Sequence, residues 1–240
     1  MTIDLNSDMG ESFGAWSIGA DEALLRVVSS ANVACGAHAG DPSVMRRTVR
    51  AAKAAGVSVG AHPGFPDLAG FGRREMRMAA AEIEDSVIYQ VAALAGVAAS
   101  EGVALAHVKP HGALYNMAAK DAGMAGAIAS AIAAVDRRLV MVGLPASALE
   151  RAAERAGLAF AAEGFADRAY EADGTLVPRS QPGALITDPA AAAAGALRMA
   201  REGRVRTICI HSDTPGAAAI GAAVRRALDD HGVTVAGLGA

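Results

Sequence analysis

Short apolar runs alternate with Ala-rich stretches of helical spacing along the whole chain. The runs near 2–6, 31–35, 57–61, 104–109, 138–143, 158–163, 206–210 and 232–236 predict strands. Between them, the spacing predicts helices near 20–29, 42–55, 78–101, 119–134, 146–156, 188–202 and 215–230. The runs are short and lack polar alternation, as in a parallel sheet covered on both faces. Helix punctuation agrees with this scheme. Asp41-Pro42 and Asp188-Pro189 read as an N-cap followed by proline at the first helical position, and Gly56, Gly102, Gly157 and Gly203 stand where helices should stop. No linker or composition break divides the chain. The expectation is an α/β protein, a single β/α domain over residues 1–240.

The polar residues are placed unevenly on this scaffold. Four of the six histidines, His38, His62, His111 and His211, fall just past the end of a predicted strand. In a repeated β/α barrel those ends converge on one face, where active sites sit. The long loops at 6–19, 62–77, 110–118 and 164–187 belong to the same side and are rich in Gly, Pro and charge. Loops of that length in a compact domain are usually functional or disordered, and their Arg, Asp, Tyr and Phe content favours function.

Composition narrows the classes. Hydrophobic residues are 52% of the 240, enough for a large core, but aromatics are only 4%, so Ala, Val, Leu and Ile must build it. A net charge of -3, from 22 basic and 25 acidic residues, leaves no basic footprint for nucleic acid. No apolar run has the length of a membrane span, and the N-terminus lacks the pattern of a signal peptide. The two cysteines, Cys35 and Cys209, make no disulfide framework. A soluble cytoplasmic protein is expected.

Six strings carry candidate chemistry. Asp4 to Glu11 holds carboxylates at the tail of the first strand, suited to metal binding or base chemistry, though Asn, Ser, Asp and Gly also favour plain turns. Asn32 to Asp41 pairs Cys35 with His38, but Cys35 continues an apolar strand and reads better as a buried small hydrophobe. His62 to Asp67 leads to Arg73-Arg74, an arginine pair able to clamp a carboxylate or phosphate, one of the two arginines reading as solvated rim. His107 to Asn116 places His107 and Lys109 on one strand face, and a lysine at an interior strand end needs a partner or a task. Phe165 to Tyr170 contains Asp167-Arg168, an anion receptor or a local salt bridge. His211 to Gly216 opens a helix whose free N–H groups favour anions. His231 precedes a glycine and reads as an exposed helix end. No phosphate-binding loop, dinucleotide fingerprint, CxxC or HExxH occurs. A metal assembled from Asp8, His38 and His62 on separate loops stays open.

The strings DLNSDMGESFG, SANVACGAHAGDP, VGAHPGFPDLAGFGRR, HVKPHGALYN, FADRAY and HSDTPGA resemble the A-subunit family of bacterial 5-oxoprolinases, also called LamB/YcsF. They run from Asp4 to Ala217 and cover nearly the whole chain. Ser212 stands where the family usually has glycine, which bears on the shape of that turn. The resemblance implies an irregular β/α barrel of about seven strands, related to the glycoside hydrolase/deacetylase barrels. It implies ATP-dependent opening of 5-oxoproline to L-glutamate with companion B and C subunits, ATP being shared with those partners. On this reading Asp8, Lys109, His111, His211 and Asp213 are catalytic candidates, with Asp213 orienting His211. Asn6, Arg73, Tyr115, Asp167 and Arg168 are substrate-binding candidates, and Asp8, His38 and His62 a divalent-metal set. Two rivals stand beside it. One is a metal-dependent deacetylase or amide hydrolase that needs no ATP, marked by tightly bound zinc. The other is a small-ligand-binding protein without chemistry, marked by tolerance of alanine at Lys109, His111 and Asp213. The spacing leaves oligomeric state open.

Overall fold

The computed structural model describes residues 1–239. Among the described residues there are eight parallel strands: β1 (Thr2–Met9), β2 (Ser30–Ala34), β3 (Ser58–His62), β4 (Leu105–Val108), β5 (Val140–Gly143), β6 (Phe160–Phe165), β7 (Thr207–Cys209) and β8 (Thr234–Val235). The first seven follow one another around a ring that closes because β1 pairs with both β2 and β7. β8 adds only to the first two residues of β1, pairing Thr234 with Thr2 and Val235 with Ile3. The tail beyond β8 crosses the same end of the ring, where Leu238 packs with Val142 and Ala161 and its N–H donates to Ser30 Oγ. This end is closed, so the opposite end carries the site.

The helices are α1 (Asp21–Leu24), α2 (Pro42–Ala55), α3 (Ala80–Ser100), α4 (Gly112–Ala118), α5 (Ala122–Val135), α6 (Ala148–Ala156), α7 (Pro189–Glu202) and α8 (Ala217–Asp230). Asp41 and Asp188 cap α2 and α7 as expected, accepting from free N–H groups of the first turn, each cap contributing about 1 kcal/mol. Two expectations change. The helix expected over 20–29 is a single turn, α1, and the loop expected over 110–118 contains α4. Asp121 caps α5 and separates it from α4, so the helix expected from 119 begins at Ala122. No single helix among the described residues is long and apolar enough to cross a membrane.

The larger departure lies inside the ring. Asp4, Asn6 and Asp8 share one face of β1, while Leu5 and Met9 on the other join the apolar core under the helices. The first set bonds across the interior to residues of other strands, so β1 alternates after all and continues to Met9, past the expected end at 6. Apolar layers from alternate strands usually fill such a barrel. Here polar side chains fill most of the middle. Gly60 of β3 makes room for one of them, because a Cβ there would lie 2.2 Å from His107 Nε2.

Candidate active site

At the open end of β4, the chain continues into Lys109, whose N–H donates to Ala61 O and which is 2% exposed. Its Nζ lies 2.8 Å from Glu163 Oε1 and 3.0 Å from Asp8 Oδ1, and donates to Asn6 Oδ1 at 3.2 Å and Cys209 Sγ at 3.1 Å. Burial alone would strip its proton. The charges of Asp8 and Glu163 more than offset this and hold the amine well above its ordinary value. Burial likewise pushes the Asp8 carboxyl up, but His62 and Lys109 at its oxygens hold it well below the usual carboxylate range. The network continues downward. Asn32 Nδ2 donates to Asn6 Oδ1 and Asp8 Oδ1, His107 Nε2 donates to Asn32 Oδ1, and Asn6 Nδ2 donates to Glu163 and Thr207. Asn6 is therefore consumed inside the barrel, and its expected role as a substrate contact is corrected.

Beside Asp8 lies a histidine group. His62 Nε2 is 3.4 Å from Asp8 Oδ1 and 4.0 Å from Glu11 Oε1. His111 Nδ1 is 3.0 Å from His62 Nε2 and 3.3 Å from Glu11 Oε1. His38 Nε2 is 3.2 Å from Glu11 Oε1, and its ring stacks on that of His111 with centroids 3.7 Å apart. All are buried. Burial, then the Asp8 and Asp213 charges, raises the Glu11 carboxyl well above its ordinary value. The structure thus brings His38 and His62 together as expected, but around Glu11 and His111. Asp8 falls in a second convergent group with Cys209 and His211. Cys35 is a buried thiol pushed up to about 12 by burial, the behaviour of a small hydrophobe.

At the tail of β7, His211 Nδ1 is 2.9 Å from Asp167 Oδ1, and Asp167 also accepts from the His211 N–H and Thr214 Oγ1. The proton on Nδ1 leaves Nε2 as the acceptor, 3.9 Å from Asp8 Oδ2. Burial raises Asp167, but His211 outweighs it and lowers the carboxyl below its ordinary value. Asp167 is therefore the residue that orients His211, and its expected substrate role is corrected. Asp213, expected to orient His211, turns away and pairs with Arg73 at 2.6 Å and Arg179 at 3.4 Å.

These groups open into a cavity of about 710 Å³ whose wall includes Asp8, His62, Lys109, His111, Tyr115 and His211, with Arg73 and Arg179 among its outer residues. Arg168 also touches it, but its guanidinium donates to the Val177 and Ala184 carbonyls, anchoring the strap that forms the outer wall. Burial and the charge of Arg179 bring Arg168 down to about 10. Expected to hold a substrate carboxylate, Arg168 is instead engaged by backbone carbonyls, while Arg73 and Arg179 stand at the cavity's outer side, paired with Asp213. Arg74 instead pairs locally with Asp67, the rim role expected of one arginine. Tyr115 lines the cavity, but its buried hydroxyl lies beside Glu163, and burial together with that carboxylate raises it well above its ordinary value. Sequence reasoning missed three residues as candidates: Glu11, Glu163 and Arg179. Glu11 and Arg179 stood in or beside the strings already singled out. Glu163 had one signal, a lone carboxylate inside an apolar strand.

A closed parallel β/α barrel with a polar cavity at the carboxyl ends of its strands defines the class of protein. The fold alone is shared, at a TM-score of 0.56 and 11% identity over 99% of this chain and 88% of the other, with the catalytic domain of a peptidoglycan N-acetylglucosamine deacetylase from Eubacterium rectale. The chain belongs to the LamB/YcsF family, whose model matches residues 3–240. It is 57% identical over 245 residues, 97% of each chain, to a protein of Bordetella parapertussis named as the A-subunit of 5-oxoprolinase. It is similar, with a TM-score of 0.93 and 49% identity over 98% of this chain and 99% of the other, to the structure of a lactam utilization protein from Thermus thermophilus.

Proposed function

We propose that this chain is the A-subunit of an ATP-dependent 5-oxoprolinase, opening the lactam ring of 5-oxoproline to give L-glutamate with companion B and C subunits. The observation that carries the reading is the near full-length identity to a protein of that name. The cavity is consistent with it. A substrate with one carboxylate and one lactam would set the carboxylate against Arg73 and Arg179 and the ring toward Lys109, His111 and Tyr115.

A lactam carbon is a poor electrophile. Transfer of the γ-phosphoryl group of ATP to the lactam oxygen makes it a better one. Water then adds to the carbon, the ring C–N bond breaks and the nitrogen takes a proton. A second water releases phosphate, so one ATP and two waters give glutamate, ADP and phosphate. In this scheme His211 Nε2, oriented by Asp167, takes the proton of the attacking water, and Lys109 stabilises charge growing on oxygen. The lack of a phosphate-binding loop in the sequence is consistent with nucleotide handling that is shared with, or performed by, the partners. Two buried free thiols suit the reducing cytoplasm.

The test is glutamate and ADP formation from 5-oxoproline by the chain alone and with candidate B and C subunits. The expected result is stoichiometric glutamate and ADP only in the complex. Glutamate without ADP from the chain alone would support an ATP-independent amide hydrolase instead. Unchanged 5-oxoproline in every mixture would overturn the reading.

A further inference from the structure

Backbone carbonyls fix the protons of two imidazoles in the histidine group. His62 Nδ1 lies 2.7 Å from Lys109 O, and His111 Nε2 lies 2.8 Å from Phe71 O. A carbonyl can only accept, so these nitrogens carry the hydrogens. In neutral rings the opposite nitrogens, His62 Nε2 and His111 Nδ1, are then lone-pair atoms, and they face each other at 3.0 Å. Glu11 Oε1, also an acceptor when ionised, completes a triangle at 3.3 Å from His111 Nδ1 and 4.0 Å from His62 Nε2. These three buried atoms converge on one point, and a cation there would be held by all three at once.

The triangle has the right size for one. Tetrahedral ligands at roughly 2.0–2.1 Å from zinc stand about 3.3 Å apart, and these edges bracket that distance. Locking a ligating imidazole by a backbone carbonyl on its far nitrogen is the usual outer support of a metal ligand. His38 plays a different part. Its ring lies parallel to His111, 3.7 Å away, so both rings cannot aim in-plane lone pairs at one point. His38 Nε2 instead donates to Glu11 Oε1, turning the carboxylate toward the triangle, while its Nδ1 stays buried without a partner among the described residues.

We propose that Glu11, His62 and His111 form a binding site for one divalent cation of the zinc class, with its free side toward the cavity beside Asp8. Imidazole and carboxylate ligands suit zinc, cobalt and their neighbours rather than calcium or magnesium. His62, His111 and Asp8 line the cavity, whereas Glu11 and His38 lie behind it, which fixes where the free side points. A cation there supplies Lewis-acid polarisation of a carbonyl oxygen. The set shares only His62 with the Asp8, His38 and His62 group expected from the sequence.

The test uses the full chain, stripped by a chelator and titrated with Co²⁺ alone, without substrate or nucleotide. Metal binding therefore stands or falls apart from the lactam chemistry. The expected result is one equivalent bound, with visible ligand-field bands of tetrahedral intensity and a raised Tm. Glu11→Gln and His111→Gln should each weaken Co²⁺ affinity at least 100-fold, and His38→Gln roughly 10- to 100-fold, as for an outer-sphere support. His211→Gln, from the convergent group of Asp8, Cys209 and His211, should leave affinity unchanged. The absence of bands and of any Tm shift in the unmodified chain at millimolar Co²⁺ would overturn the site, however the variants fold. So would loss of binding in His211→Gln with retention in His111→Gln.

Discussion

Lys109 Nζ reaches Glu163 Oε1 at 2.8 Å and so ties β4 to β6 across the barrel interior, with Asp8 of β1 3.0 Å away on the other side. Three charges from three strands meet where a barrel of this kind would normally hold branched apolar side chains. Such a group adds little net stability over a well-packed apolar core, but removing one member leaves the others buried and uncompensated.

Lys109→Met should therefore destabilise the chain as well as abolish turnover, by about 3–5 kcal/mol in urea unfolding. Combining it with Glu163→Gln should recover part of that loss, because one stranded carboxylate is neutralised. Additive destabilisation in the double variant would show that the two side chains are not coupled.

Asp167 should control both the orientation of His211 and the acid side of the stability profile. Its folded pKa lies below the ordinary carboxylate value, so its contribution is complete above the unfolded pKa and disappears as pH falls through the folded one. Asp167→Asn should thus be most destabilised, relative to the unmodified chain, at neutral pH, with the gap closing below about pH 4. Unfolding midpoints from acid to neutral pH check this. In the assembled complex, the same variant should lose kcat without a matching change in KM.

Arg73→Ala and Arg179→Ala should raise KM for 5-oxoproline by roughly 10- to 100-fold, the size of a lost charge-assisted contact. A lactam without the carboxylate should show no such change. Equal effects on both substrates would place the carboxylate elsewhere.

Gly19 has φ +89°, and a Cβ there would lie 2.7 Å from Ser212 Oγ. Gly19→Ala should cost about 1–3 kcal/mol through strain and overpacking. Ser212→Gly should relieve the clash with Ser212 but not the contact of a Cβ with Asp21 Oδ1 at 3.0 Å, nor the part due to φ. Ser212→Ala alone should be neutral or slightly stabilising in thermal melts, because the buried Ser212 Oγ has no hydrogen-bond partner among the described residues.

Much of the scaffold was legible because it is written locally. Strand and helix alternation, the Asp41 and Asp188 caps, the glycine stops and the histidines past strand ends all depend on residues a few positions apart. The pairing of functional groups did not follow from proximity in the chain. Asp213 is two residues from His211, yet it points at Arg73 and Arg179. Asp167 is 44 residues away and accepts the His211 proton, because β6 and β7 are neighbours in the ring. Asn6, at the end of the expected first strand, read as a substrate contact and proved to face the barrel interior, because only the closed ring supplies its partners Glu163, Thr207 and Asn32.

The sequence by itself determined the order of elements and the end of the barrel at which polar chemistry gathers, since hydrophobic period and capping act over a few residues. Only the tertiary structure decided which carboxylate meets which cation. Those contacts are set by strand register and ring closure, and a shift of one residue in register turns a side chain from the interior to the outer face.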